Sequence, residues 1–365
     1  MHTKVTRRSR YQFAFWLFLS VLVFPLAYAL LTFDREFPAP KSVGEALHFP
    51  SDFKYYIASD FRPRSQLAAW HGAMQTKING QNQLGKTVIV GESGFLFSYF
   101  LQEQNTARPT MNYGTIPDLT VPYDVRHQIG VHLQARHEFC RNLNVRYLPL
   151  IIALKPLLHP EHLPTAFRPS AKPSSYSPLF RHLRSKASAV LTVDTLQAMQ
   201  DAAQRAPVYY RTDSHWTDYG AYVGVQEILR ALQSQFPDLP EPYSEEHQIQ
   251  YRDALGGNEA RALGLVQQLA DQHVVLTYDR TRNLERSGST NSVITELKTQ
   301  GFQTYFRCAQ GEIPSLMVFH NSFGVALMPH LARYSQSSHF IWDDFNQELV
   351  EQSRPAVVVE LVLTY

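Results

Sequence analysis

Asp213 and His215 stand two residues apart in Tyr209-Tyr210-Arg211-Thr212-Asp213-Ser214-His215-Trp216-Thr217. Ser322 lies far along the chain in Phe319-His320-Asn321-Ser322-Phe323-Gly324. A hydroxyl, an imidazole and a carboxylate are the parts of an activated-serine acyl enzyme: a nucleophile, the base that takes its proton, and the group that orients the base. Each stretch also has a plainer use. Ser322 or Asn321 can cap a helix. Asp213 can cap a helix entry, with His215 a surface histidine, one of 15 histidines in the chain. Asp218 falls in the first turn of the next helix, where acids are favoured anyway. Arg211 and Trp216 are odd choices for an ordinary helix entry and suit a polar cleft better. Near His215 there is no His-Glu-x-x-His, no Cys-x-x-Cys and no second histidine at ligand spacing, so no metal is expected in this site and no cofactor is implied.

These residues need elements to hold them. Ser315–Phe319 reads as a buried strand and Gly324-Val325 begins a helical pattern, which puts Ser322 in a strand-to-helix turn. Backbone N–H groups at such a helix start can stabilise an oxyanion. Further strands are expected at Val88–Val90, Val145–Ala153, Val190–Val193, Val274–Tyr278, His339–Trp342 and Val357–Leu363. Helices are expected over Val125–Leu143, over Tyr222–Phe236, and after Ser322 with Val325, Met328 and Leu331 on one face. The runs Leu148–Ile152 and Val357–Val359 are apolar throughout, as parallel strands covered on both faces are. An α/β fold with helices on both sides of a mainly parallel sheet follows, with ligands beyond the carboxyl ends of the strands. Gln102–Tyr123, Arg168–Pro178 and Asp279–Asn291 read as loops.

Residues 11–33 carry no charged side chain, and about 20 helical residues span a bilayer core. Lys4, Arg7, Arg8 and Arg10 precede them, which argues for an N-terminus kept inside and a body exported. A cleaved signal peptide is the alternative, but its apolar region is shorter and ends in small residues. The expected layout is a cytoplasmic tail at 1–10, a transmembrane anchor at 11–33, a linker at 34–50 and an exported domain at 51–365, which the family resemblance described next places in the periplasm of a bacterial inner-membrane protein. The whole chain has 34 basic and 32 acidic residues. Removing the four basic residues of the tail leaves about 30 against 32, which gives no electrostatic case for nucleic acid. Cys140 and Cys308 can pair outside the cytoplasm, or Cys140 can be a buried thiol on the face of Ile129 and Leu133.

At its motifs the chain resembles the SGNH hydrolase-like polysaccharide O-acetyltransferases of the alginate AlgJ/AlgX type. The matching pieces run in order: Val90–Phe97, then Leu154-Lys155-Pro156 with Pro160–Pro164, then Tyr210–Trp216 as an Asp-x-His-Trp block. Gly257-Asn258-Glu259, Phe319–Gly324 and Arg354–Glu360 follow. The resemblance implies an SGNH-hydrolase-like three-layer α/β sandwich. It also implies acetyl transfer through an acetyl-serine, with Ser322 as nucleophile, His215 as base and Asp213 as orienter. An exopolysaccharide in the periplasm would be the acceptor, and a membrane-bound O-acyltransferase would supply the acetyl group. Asn321, Arg211, Trp216 and Asn258 are the tentative substrate or oxyanion residues. Asn321 stands where the family usually has Asp, and Asn258 departs from a Gly-Asp-Leu segment. A carbohydrate acetylesterase and a non-catalytic glycan-binding or scaffold protein are the alternatives.

Overall fold

The computed structural model describes residues 83–84, 88–98, 123–165, 190–244, 246–278, 284–294 and 299–363. The anchor, the linker and the loops expected at 102–123 and 168–178 lie outside the described residues, except Tyr123, which begins a helix. Among the described residues no helix is long and apolar enough to cross a membrane.

The strands are β1 (Gln83–Leu84), β2 (Val88–Val90), β3 (Leu96–Ser98), β4 (Arg146–Ile152), β5 (Val193–Asp194) and β6 (His247–Ala254). They continue with β7 (Asp271–Tyr278), β8 (Glu285–Ile294), β9 (Thr299–Arg307), β10 (Leu316–Phe319), β11 (Ser337–Ile341) and β12 (Val357–Leu363). The helices are α1 (Tyr123–Asn142), α2 (Lys155–Leu158), α3 (Leu196–Ala203), α4 (Asp218–Leu232), α5 (Asn258–Ala262), α6 (Gly324–Leu331) and α7 (Gln347–Ser353). A seven-stranded sheet runs in the order β5-β4-β12-β10-β11-β9-β8. Its five strands from β5 to β11 are parallel, and β9 and β8 add an antiparallel edge.

The apolar runs follow from this layering. In β4, Leu148, Leu150 and Ile152 face one core while Tyr147 and Ile151 face the other; in β12, Val357 and Val359 alternate with Val358 and Val362 in the same way. Helices α3, α4 and α6 cover the first face, through Met199, Ile228 and Leu327 among others. Helices α1 and α7 cover the second, through Ile129, Leu133, Leu349 and Val350. A charged residue between two covered faces needs a partner. Glu360 in β12 accepts a hydrogen bond from Tyr147 at 2.5 Å and is paired with Arg136 of α1. Cys140 and Cys308 are both buried and unpaired, and burial raises the Cys140 thiol to about 12, so it packs as an inert apolar group.

Three expectations need correction. Residues 285–291, read as loop, are part of β8. That segment is polar and has no apolar alternation, and its partner β9 supplies the ladder that its own composition does not signal. The hairpin of β6 and β7 includes a first strand, His247–Ala254, that is largely exposed and was missed for the same reason. In α6, Leu327 and Leu331 form the buried stripe at i, i+4, whereas Val325 is 54 % exposed. A spacing of three drifts off one helix face, and Val325 ends on the side facing the cleft described below.

Candidate active site

The loop between α3 and α4 is a tight reversal. Tyr209 bridges to Trp216, Tyr210 N–H donates to the His215 carbonyl, and Thr217 N–H donates to that of Val208. Thr217 then caps α4, its Oγ1 accepting from Gly220 N–H at 3.1 Å. Asp213 and His215 project from the tip of this reversal. Ser322 lies 107 residues away, beyond the carboxyl end of β10 and just before α6.

The fold brings the three side chains together. Ser322 Oγ lies 2.7 Å from His215 Nε2, and His215 Nδ1 lies 2.6 Å from Asp213 Oδ1. With Nδ1 donating to the carboxylate, Nε2 is left as the acceptor for the serine hydroxyl. Asp213 also accepts from His215 N–H at 3.0 Å and from Asn258 N–H at 2.8 Å. Burial opposes its charge, but the His215 ring and these two backbone donors outweigh that and lower its pKa to about 2. Asp213 therefore stays ionised throughout the neutral range, as an orienting carboxylate must.

Two buried groups fix the backbone of the reversal. Lys155, at the start of α2, donates from Nζ to the carbonyls of Leu96, Arg211 and Asp213 at 2.5, 2.8 and 3.1 Å, beneath the rings of Phe95 and Phe97. Asp271, at the start of β7, accepts from Thr212 N–H at 2.7 Å and Thr212 Oγ1 at 2.6 Å, and from Arg211 N–H at 3.3 Å. The Thr212 hydroxyl in turn accepts from Gly257 N–H at 2.8 Å. The sequence motifs included Lys155, without a role, and did not include Asp271. An aspartate at a strand start has no sequence signal that separates it from any turn residue.

Of the four tentative residues, Trp216 lines the cleft and Asn258 meets the triad through its backbone. Arg211 is exposed, points its guanidinium at the Ala270 carbonyl at 2.6 Å, and does not line the cleft around Ser322. Trp216 is buried, donates from Nε1 to the Phe323 carbonyl at 3.0 Å, and packs edge-on to the Phe323 ring. Asn258 contributes its backbone N–H to Asp213, while its side chain faces Arg261 at 3.4 Å. Asn321 Oδ1 accepts from Phe323 N–H at 3.0 Å, an Asx turn that shapes the bend carrying Ser322.

That turn gives a modest prediction. Asn321→Ala should cost about 1 kcal/mol of stability, the usual value of such a cap. Asn321→Asp keeps the acceptor oxygen and should melt close to the parent. Thermal unfolding of both variants checks this.

The cleft has a volume of about 380 Å³ and is lined, beside the triad, by Tyr210, Trp216, Leu255, Gly257, Asp271, His273, Val325 and Ala326. Gly257 is required by space. A Cβ there would lie 2.5 Å from Asp213 Cβ and 2.7 Å from its Oδ2. Gly257→Ala should push the carboxylate off His215 and lower kcat about 10²-fold, the scale of a 1 Å misplacement, with KM little changed. Steady-state kinetics on a small acetyl ester tests it, and an unchanged kcat would sink the idea.

An SGNH-hydrolase-like α/β domain is the class these features define. Residues 132–295 match the SGNH hydrolase-like domain of acetyltransferase AlgX. A probable alginate O-acetylase AlgJ from Pseudomonas syringae pv. tomato is 33 % identical over 95 residues, a match that spans 25 % of this chain and 23 % of that protein. Bacillus cereus PatB1 superposes with a TM-score of 0.54 at 13 % identity, over 76 % of this chain and 95 % of that one. A DHHW family protein from Eubacterium siraeum has a TM-score of 0.50 at 13 % identity, over 76 % and 94 %. At those identities the two structures speak for the fold alone. Both sequence matches, each over less than half of the chain, are to acetyltransferases of the AlgJ/AlgX type.

Proposed function

We propose that this protein is a serine-dependent O-acetyltransferase that moves acetyl groups onto hydroxyls of a polysaccharide. The observation that carries the proposal is the unbroken chain Asp213–His215–Ser322: a 2.6 Å hydrogen bond within the histidine loop and a 2.7 Å one that reaches a serine 107 residues away. Capping explains neither bond. The kinship with alginate O-acetylases supports the acyl group and the acceptor class.

His215 Nε2 takes the Ser322 proton as Oγ attacks the carbonyl carbon of an acetyl ester. The tetrahedral oxyanion collapses, and His215 returns the proton to the departing alcohol. A glycan hydroxyl then gives its proton to His215, attacks the acetyl-serine, and leaves as the acetyl ester while Ser322 recovers its hydrogen. Within the turn, the N–H groups of Phe323, Gly324 and Val325 are already engaged by Asn321 Oδ1, the Asn321 carbonyl and the Ser322 carbonyl. Ser322 N–H has no acceptor among the described residues, which makes it the donor for the oxyanion.

The apolar segment 11–33 with its basic flank supports a periplasmic site on an inner-membrane anchor. An exported site needs an acetyl donor supplied across the membrane, which fits a membrane-bound O-acyltransferase as partner.

Full-length protein in detergent, given an acetyl ester with and without polysaccharide, separates the readings. Ester-linked acetate appearing on the glycan supports transfer. Free acetate alone, at a rate indifferent to glycan, marks an esterase, and activity that survives Ser322→Ala defeats the serine mechanism.

A further inference from the structure

His159, Glu161 and His162 lie just past α2, away from the serine, with one ligand atom of each within 4.8 Å of the others. His159 Nδ1 is 3.4 Å from Glu161 Oε1, and His162 Nε2 is 3.7 Å from the same oxygen. Those separations are long for charge-assisted hydrogen bonds, which run to about 2.7–2.9 Å. They are close to the edge of a tetrahedron whose centre lies about 2.1 Å from each donor, roughly 3.4 Å.

The donors are also held in place. His159 N–H donates to the Lys155 carbonyl and His162 N–H to that of His159, closing a 3₁₀ turn at Pro160–His162. The Phe95 ring stacks on His162 with centroids 3.9 Å apart at 11°, and leans on His159 at 5.2 Å. Gly91 lets the turn approach this strand pair, since a Cβ there would lie 2.4 Å from the His162 carbonyl oxygen. Rings fixed in advance lose little freedom when an ion arrives.

We infer that His159, Glu161 and His162 form a binding site for a divalent cation of the zinc class, with two imidazole nitrogens, one carboxylate oxygen and room for water. Two imidazoles select against magnesium and calcium, which prefer oxygen. The ion clamps the segment that carries Lys155, and Lys155 holds the carbonyls of Arg211 and Asp213. Its role is to brace the site, not to activate a substrate, and the inference stands apart from the acyl-transfer reading.

Full-length protein stripped with a chelator is titrated with Co²⁺ and then Zn²⁺. The expected result is one cobalt per chain, with the visible bands of a low-coordinate imidazole site, displaced by Zn²⁺. Zn²⁺ should also raise the thermal midpoint, and chelator should reverse the rise. Glu161→Gln and His162→Ala should each weaken cobalt binding at least tenfold. Glu161 is 60 % exposed in its side chain, so its variant folds and reports ligation alone. Absence of bands at micromolar cobalt, or affinity unchanged in both variants, overturns the site.

Discussion

Ser322→Ala is expected to lower kcat at least about 10³-fold while leaving the thermal midpoint close to the parent. The hydroxyl's recorded partner is His215 Nε2 at 2.7 Å, and no core residue packs through it, so little stability is at stake. His215→Ala should lose a similar factor, because without the imidazole the hydroxyl keeps its proton. Combining the two should cost scarcely more than either alone, since the two groups act as a unit. Losses that multiply would mean that the residues act independently, contrary to the geometry. The acid Asp213 should cost less than either when replaced by Asn, for it orients the ring without entering the bond changes.

Lys155→Met should destabilise the domain by about 3 kcal/mol or more. Methionine fills the same space, so the loss is polar: three carbonyls, of Leu96, Arg211 and Asp213, lose their donor. A buried orphaned group costs about 1–3 kcal/mol each. Activity should fall as well, because two of those carbonyls belong to the reversal that presents Asp213 and His215. There is a pH signature. Burial lowers the Lys155 pKa from 10.5 to about 7, against the pull of Glu259, Asp271 and Asp213. Between those two values the unfolded chain binds more protons than the folded one, so stability rises with pH across the window and is flat for this residue below it. Urea midpoints measured from neutral to alkaline pH should show that rise in the parent and lack it in the variant. A parallel pair of curves would show that the amine does not titrate in the fold.

The sheet and the triad could be read from the chain because their signals are local. Apolar runs such as 148–152 and 357–359 need both faces covered, and the alternation of Leu148, Leu150 and Ile152 against Tyr147 and Ile151 is how that need is met. Asp213, His215 and Ser322 stood out by residue type at turn positions. What did not show is carried by backbone. Asn258 matters through its N–H, Arg211 through its carbonyl, and Asn321 through an Asx turn, none of which a side-chain reading distinguishes from substrate contact. Trp216 illustrates the same limit. The residue lines the cleft as its position suggests, but its main work is structural: its indole N–H meets the Phe323 carbonyl and ties the histidine loop to the serine turn. Strands β6, β8 and β9 were not legible because hairpin and edge strands need no apolar pattern.

The central claim is that Ser322 carries the acyl group. Full-length protein exposed to an activated acetyl ester, quenched in acid and weighed intact, followed by peptide mapping, tests it most directly. One acetyl adduct on the peptide containing Ser322, absent from Ser322→Ala and from His215→Ala, is the predicted result. An adduct that persists in Ser322→Ala, or none at all from folded protein that still turns over the ester, would contradict it.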